Sequence, residues 1–280
     1  MAVPAAMSEP VRVEALTTVV FESNQTNAAS ASDREEGWLS RSELSVRRRQ
    51  LVADGVGLEL AGEAGYEHNL RYSDLSNGTL DAVIRGYFKP FVGFSVPRLE
   101  VGARGGLRQY RDSDLRDGMA GSLDLTLASR LTERLSVRAG YIYDWRRASS
   151  ARVFDLDGQS LFAAGIWRPS KRLVLYTRYR FRVGDTVSAA TPSASIMRVA
   201  KAVAADNAFG PLSLPAAVNQ TRQRFAYRID ATRHDASLGL GYVINRQLAL
   251  DVGGKFRASN GDGGDDYRGF ALQAGITYRF

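Results

Sequence analysis

From Val11 to the end of the chain, hydrophobic and polar residues alternate with a period of two, in runs separated by clusters of Asp, Ser, Asn and Gly. Successive side chains of a strand point to opposite faces, so this period predicts strands that are apolar on one side only. The last run shows it: Phe270, Leu272, Ala274, Ile276, Tyr278 and Phe280 share one face, and Ala271, Gln273, Gly275, Thr277 and Arg279 share the other. The same division separates Leu99, Val101, Ala103, Gly105 and Leu107 from Glu100, Gly102, Arg104, Gly106 and Arg108. It returns where Leu248, Leu250, Val252, Gly254 and Phe256 alternate with Ala249, Asp251, Gly253, Lys255 and Arg257. Twelve strands are predicted, over 10–21, 38–49, 55–67, 79–89, 98–110, 119–130, 134–146, 159–168, 172–183, 222–243, 247–258 and 269–280.

The connections fall into two sets. Odd-numbered ones (22–37, 68–78, 111–118, 147–158, 184–221 and 259–268) are long and polar, whereas Leu131-Thr-Glu-Arg134, Pro169-Ser-Lys171 and Ile244-Asn-Arg-Gln247 are tight turns. Short turns on one rim and long loops on the other characterise transmembrane barrels, with the short turns periplasmic. The expected fold is all-β, a transmembrane antiparallel up-and-down β-barrel of about twelve strands over residues 10–280. A short N-terminal periplasmic extension, 1–9, precedes it, and the long loop 184–221 is extracellular. Met1-Ala-Val-Pro-Ala-Ala has neither a basic start nor an apolar core, and reads as a mature N-terminus with an added Met.

Alternation alone does not say which face points outward, because a soluble barrel also alternates and packs its apolar face inside. No apolar run approaches the roughly 20 residues a spanning helix needs, so only strands could cross a membrane. The strands are long for a soluble domain and match a tilted span of hydrocarbon. Aromatic residues gather near strand ends on the apolar face, as at Tyr141, Tyr143 and Trp145, or Tyr179 and Phe181, which suits interfacial girdles. The expected location is the bacterial outer membrane, with its lipid around the barrel.

Tyr278-Arg279-Phe280, closing an alternating apolar strand, resembles the C-terminal signature of bacterial outer-membrane β-barrel proteins. With the loop asymmetry the resemblance extends over nearly the whole chain, without selecting a subfamily. It implies that Tyr278 and Phe280 belong to a segment recognised by the barrel-assembly machinery during biogenesis. In strand number and basic wall the chain is also similar in kind to small monomeric sugar-acid porins of the oligogalacturonate-specific type, an analogy of architecture that no shared motif carries.

Two segments break the pattern. In 222–243 the apolar residues are odd-numbered at Phe225, Tyr227 and Ile229 but even-numbered at Leu238, Leu240 and Tyr242. Either a bulge near Thr232 to Asp235 switches the faces, or the first half is an extramembrane extension pairing with the end of the preceding strand. Loop 184–221 is long enough to call for a role. Ser195 to Asp206 has helical spacing, with Ile196, Val199, Ala200 and Val203 on one face, before Gly210 and Pro211. The loop either folds into the lumen or stands as a solvated surface loop.

The net charge of +7 comes from arginine, since lysine occurs only at positions 89, 171, 201 and 255. A GC-rich genome also enriches Arg, Ala and Gly, so placement is more informative than number. The expected inner wall carries Arg104, Arg108, Arg138, Arg178, Arg180, Arg182, Lys255 and Arg257, opposed by Glu59, Glu63, Glu100, Asp124, Asp144 and Asp251. Arg178, Arg180 and Arg182 form a ladder with about 7 Å per step. Two readings stay open: a basic track for anionic solutes such as acidic sugars, or an internal salt-bridge network bracing a narrow barrel.

Little else carries chemistry. His68 and His234 sit near the loop rim, and His234 has the wrong parity to share a face with Ser237, which disfavours a Ser–His hydrolase. Asp155-Leu-Asp157-Gly158 and Asn260-Gly-Asp262-Gly-Gly-Asp265-Asp266 lack the twelve-residue calcium-loop spacing and read as plain turns. The chain has no cysteine, in keeping with an oxidising envelope. Basic residues are spread over strands among acids, with no nucleic-acid-binding module and no metal or cofactor motif. The expected function is therefore an outer-membrane channel for passive diffusion of small hydrophilic, anionic solutes through an Arg-lined lumen. The alternative is a non-conducting structural barrel of an export or adhesion complex, using its extracellular loops as a binding surface. The residues leave the solute and the oligomeric state open.

Overall fold

Within a bilayer, backbone groups find no water, so strands persist there only when every edge is paired. In the computed structural model, which describes residues 9–91, 93–209 and 223–280, the sheet meets this demand by closing on itself. The wall strands are β1 (Arg12–Glu22), β2 (Gly37–Ala53), β3 (Val56–Asn69), β4 (Asn77–Phe88), β5 (Arg98–Tyr110), β6 (Gly118–Arg130), β7 (Leu135–Ala148), β8 (Leu156–Trp167) and β9 (Leu173–Ala190). A short β10 (Ala202–Ala205) precedes the last three, β11 (Phe225–Val243), β12 (Leu248–Gly261) and β13 (Tyr267–Arg279). Neighbours pair antiparallel, β1 with β13, and β9 with β11, so the closed wall has twelve strands. β10 is extra and pairs only with the loop-rim end of β11. All twelve expected strands are present, although β9 runs to Ala190 instead of 183. The expected extension 1–9 lies outside the described residues except for Glu9, whose N–H donates to the Arg49 carbonyl at 2.9 Å.

Large apolar side chains point away from the interior: Leu238 is 65% exposed and Leu123 52%. This inversion is what a lipid-facing wall requires. Aromatic clusters mark both edges of the apolar band. Phe21 packs at a tilt against Trp38 and Phe270 towards the loop rim, with ring centroids 5.2 and 5.8 Å apart, and Tyr278 meets Phe280 at the turn rim, at 4.8 Å.

The tight turns repeat one device. Thr132 Oγ1, Ser170 Oγ and Asn245 Oδ1 each accept the backbone N–H groups two and three residues on, at 2.8 to 3.3 Å. Such side-chain turns satisfy the first groups outside the ladder. At the β2–β3 turn Gly55 takes φ +72, where a Cβ would lie 2.2 Å from the Lys89 carbonyl, which explains Asp54-Gly55 there.

The parity break in β11 involves no bulge. Its register with β9 is continuous from Phe225↔Ala190 to Tyr242↔Leu173, so the second alternative holds: β9 and β11 extend beyond the wall as a hairpin. On its inward face Asp235 and Arg233 give way to Ile229 and Tyr227, which pack with Ala28, Ala190 and Ile196. The apolar residues change parity because the surroundings change from lumen to loop core. The helical expectation for Ser195 to Asp206 is half right, since α1 spans Ala194–Val199 and the chain then turns into β10. The edge left open on β11 above the end of β12 is paired by β10.

Three loops share a design. Ser73–Leu75, Asp114–Arg116 and Arg152–Phe154 each form one 3-10 turn. The carboxylates of Asp117 and Asp155 accept the N–H of Tyr110 and Ala148 at 2.6 and 2.8 Å. The carbonyls of Ser76 and Asp117 accept from Arg111 and Ser149 of the next loop at 2.8 and 2.7 Å, stacking the loops round the rim. The last residue of each turn, Leu75, Arg116 or Phe154, lines the space above the lumen.

There they meet the extended hairpin and the segment after it, which therefore do not stand free in solvent. Ala189 N–H donates to the Thr26 carbonyl at 2.9 Å, Phe209 meets Tyr72 edge-to-face with centroids 5.2 Å apart, and Arg228 donates to the Asp155 carbonyl at 2.7 Å. Arg116 grips Asp206 with two bonds, 2.9 and 2.6 Å, and α1 packs on the 262–264 turn. Residues 184–209 and 223–231 thus touch every other long loop and roof the mouth. A second pair, the buried Arg224 with the half-buried Glu35, ties the roof to the β1–β2 loop. Burial alone would raise the Glu35 carboxyl, but hydrogen bonds from Tyr72 and Arg224, with the charges of Arg224 and Arg71, outweigh it and hold the pKa below its ordinary 4.5.

Three expected outcomes follow from this architecture. Leu125→Arg puts a cation among lipid tails near mid-wall and should cost about 2–4 kcal/mol in urea unfolding from bilayers. In the roof, Asp206→Asn leaves the Arg116 guanidinium buried without its partner, at about 3–5 kcal/mol, read as faster hydrogen exchange of roof amides with wall amides unchanged. A depressed carboxyl contributes fully above its unfolded value and loses that contribution as pH falls through the folded one. The Glu35 tie should therefore hold at neutral pH and loosen only below the ordinary carboxylate range, with Glu35→Gln removing this acid sensitivity.

Candidate functional site

Because the ladder register fixes which side chains share a face, the inner wall can be read off strand by strand. It turns inward Arg104 and Arg108 on β5, Arg138 on β7, Arg178, Arg180 and Arg182 on β9, and Lys255 and Arg257 on β12. Glu59 and Glu63 on β3, Glu100 on β5, Asp124 on β6, Asp144 on β7 and Asp251 on β12 share that face.

Several residues that matter as much were not singled out in the sequence: Arg41, Arg47 and Arg49 on β2, Asp81 and Arg85 on β4, Arg146 on β7, and Arg233 and Asp235 on β11. In β2 and β4 both faces mix polar with apolar residues, Ser40 and Ser42 lying outward while Val83 and Tyr87 lie inward, so the alternation is blurred. Arg146 and Asp235 do continue the parity of Asp144 and Ser237, a signal that extending the strands would have exposed.

Most wall charges are paired. Arg49 meets Glu59 at 2.8 Å; Arg104 meets Glu63 and Asp81 at 2.8 and 2.7 Å; Arg85 meets Asp124 at 3.6 Å. Arg98 and Arg138 both hold Glu100, and Asp251 accepts from the Tyr176 hydroxyl at 2.7 Å. Partners lie on the same strand or at most two strands apart. The network therefore hugs the wall and does not bridge the lumen, a job left to the roof. Inner-wall glycines give these groups room: a Cβ on Gly106 would fall 2.1 Å from Asp81 Oδ1, and one on Gly158 would fall 2.1 Å from Arg182 Nη2.

The ladder on β9 is not uniform. Asp144 takes both Arg180 and Arg182, at 2.6 and 3.0 Å, whereas Arg178 has no carboxylate partner among the described residues and lies 4.7 Å from the Phe162 ring centre. On the next strands Arg233, Lys255 and Arg257 crowd one carboxylate, Asp235, at 2.9, 3.2 and 3.3 Å. Cations thus outnumber acids on β9, β11 and β12, while β3 opposite carries Glu59, Glu63 and Glu67 on its inner face. Among the described residues, four inner-wall cations lack a carboxylate partner: Arg108, Arg130 at the turn-rim end of β6, Arg146 and Arg178.

Between the upper wall and the roof lies a cavity of about 400 Å³. Val187, Ala189 and Phe209 cover it, and its charged lining is mixed: Arg146, Arg180, Arg182 and Arg233 on one side of the balance, Glu22, Glu67, Asp144 and Asp185 on the other.

The residues weighed for catalysis fall apart. His234 lies on the outer face against Phe181, centroids 5.2 Å apart, with its Nδ1 2.7 Å from the Tyr179 hydroxyl, whereas Ser237 lies on the inner face. His68 stacks beside Tyr66 on the outer face. Among the described residues no cluster of three His, Cys, Asp or Glu side chains could hold a metal ion.

The family model "Putative beta-barrel porin 2" matches residues 75–280. An outer-membrane channel from Pseudomonas putida F1 shares the fold, with a TM-score of 0.54, 12% identity, and coverage of 97% of each chain. The KdgM porin in complex with disordered oligogalacturonate aligns over 95% of this chain and 99% of its own, at 13% identity and a TM-score of 0.47. The NanC porin aligns over 95% and 100%, at 7% identity and a TM-score of 0.48. No curated protein matches the chain. With its closed sheet, lipid-facing apolar wall and charged interior, the chain belongs to the putative beta-barrel porin 2 family, the channel-like barrels of the bacterial outer membrane.

Proposed function

We propose that this outer-membrane channel passes small hydrophilic anions by passive diffusion, drawn along the basic side of its wall. One observation supports the reading above the others: among the described residues, six cations on β9, β11 and β12, at 178, 180, 182, 233, 255 and 257, have only two carboxylate partners between them, Asp144 and Asp235, while Asp251 is held by Tyr176. An anion near this sector exchanges part of its hydration for guanidinium N–H donors, which suit carboxylate and phosphate geometry. A cation meets like charge there and is disfavoured. Because Asp144 and Asp235 screen their neighbours, the attraction is shallow enough for release, as a diffusion channel requires. The solute gradient drives transport, with no reaction and no cofactor. During biogenesis, Tyr278 and Phe280 would present the terminal strand to the barrel-assembly machinery.

The roof favours a second reading, a non-conducting barrel of an export or adhesion complex whose packed loops form a docking surface. Planar-bilayer recordings separate the two: discrete steps with anion preference are expected of a channel, and a silent membrane would sink that proposal. The combined variant Arg178→Gln, Arg180→Gln, Arg182→Gln leaves Asp144 without its partners. Its reversal potential in a salt gradient should move towards cation preference. An unchanged potential would mean the basic sector does not select.

A further inference from the structure

The face that meets lipid is cleared of charge with one exception. Among the described residues, the outward positions of the twelve wall strands below the loop rim hold a single charged side chain, Arg48 on β2. Its neighbours Arg47 and Arg49 turn inward to Glu63 and Glu59, at 3.6 and 2.8 Å, whereas Arg48 is exposed and has no carboxylate partner among the described residues. A lipid-facing arginine is costly at mid-bilayer and cheap at the interface, and pairing fixes which applies. The Phe280 N–H donates to the Val13 carbonyl, and Val13 lies opposite Val46. Arg48, one outward step nearer the turns, therefore stands beside the aromatic edge that Tyr278 and Phe280 form at the turn rim. From there a groove of about 730 Å³ climbs the outer wall. Leu60, Ile84 and Ala103 continue the row of Arg48, which ends at Gln159 and Val183 near the loop rim and so rises across the wall into hydrocarbon. Alongside it run Gly62, Ala82 and Gly105, and a Cβ on either glycine would meet nothing within 4 Å. Every outward side chain of the groove is apolar except Arg48.

We infer that this groove binds one phospholipid of the periplasmic leaflet, with its phosphodiester on the Arg48 guanidinium and one acyl chain laid along Gly62, Ala82 and Gly105. Charge selects the occupant. A guanidinium offers two parallel N–H donors to a phosphate, and the long side chain reaches headgroup level from the wall. A second copy of the barrel lacks the complement: its own outward face below the loop rim has only the same cation, so a symmetric contact here would set two Arg48 side chains together. Height selects the leaflet, because the cation stands at the turn rim and the groove opens upward from it. Lipid tails are as apolar as the wall, so apolarity alone would not hold one chain. The missing side chains give that chain a recess with contacts on its floor and flanks, and the headgroup pair fixes its end. The site lies on the opposite face of the wall from the lumen and is independent of what the channel passes.

The test uses the full barrel in detergent micelles, titrated with dioleoylphosphatidylglycerol or with dioleoylglycerol, which has the same chains and no phosphate, and weighed by native mass spectrometry. The native protein should retain one phosphatidylglycerol per barrel and little dioleoylglycerol. Arg48→Gln should weaken retention about ten-fold or more, the loss expected for one charge-assisted hydrogen-bonded contact. Gly62→Leu fills the recess without touching the cation and should weaken it as well. Arg48→Lys keeps the charge but not the fork, guards against a folding defect, and should retain part of the affinity. Arg268→Gln, which removes a cation at the loop-rim end of β13, serves as the control and should change nothing. Equal retention of the two lipids, an Arg48→Gln or Gly62→Leu protein that binds like the native one, or no retained lipid would each overturn the inference. A dimer that forms in place of the lipid adduct would overturn it too, and would assign the groove to a second copy of the chain.

Discussion

A strand edge exposed to hydrocarbon leaves a row of peptide groups unbonded, each at a cost of several kcal/mol, and the rest of this molecule follows from avoiding that cost. Closing twelve strands into one ladder consumes every edge within the membrane. Closure then sorts the side chains. Leu, Val, Ile and aromatic residues go out to the lipid, and charges go in, where they must satisfy one another or meet water. The exception occurs above the membrane. Where β12 ends, β11 continues, and its exposed edge is paired by β10. The same requirement that closes the wall thus organises the roof.

The interior carries an unequal division of charge. Pairing between near strands lets many arginines coexist on one surface without filling the lumen, because each carboxylate is drawn sideways along the wall. Glycines opposite the largest groups make this possible, as Gly158 does for Arg182. What remains uncommitted is a small set of guanidiniums at different heights. A selective barrel needs such a balance, since a wall of wholly free cations would repel itself and one wholly neutralised would discriminate little.

Most of the wall was legible in the sequence, and for a physical reason. Period-two alternation against lipid is enforced on every strand, so a one-residue error would place charge in the membrane. The inward positions of Arg104, Arg138, Arg178, Lys255 and their acidic neighbours follow from that enforcement. Arg146 and Asp235 were overlooked because they lie near strand ends or in the segment of shifted parity. The roof was illegible for a different reason. Its core joins Ala28, Ile196 and Tyr227, which lie far apart in the chain and come together only through tertiary packing. The helical pattern from Ser195 was real for one turn and a half, after which the open edge of β11 took the chain into a strand. Which cations are committed to carboxylates also depended on geometry across strands, and no spacing along one strand reveals it.

The bend at Gly184 links these two parts. Its φ of +142 lies where side chains are rarely tolerated, and it falls where the hairpin leaves the wall. Arg182, just below, donates to the Asp185 carbonyl at 2.7 Å from one guanidinium nitrogen and to Asp144 at 3.0 Å from another. One guanidinium therefore clasps both sides of the joint. Any tilt of the hairpin must pull on the same group that neutralises Asp144, so the posture of the covering segment and the electrostatic potential at the top of the pore are mechanically geared to each other.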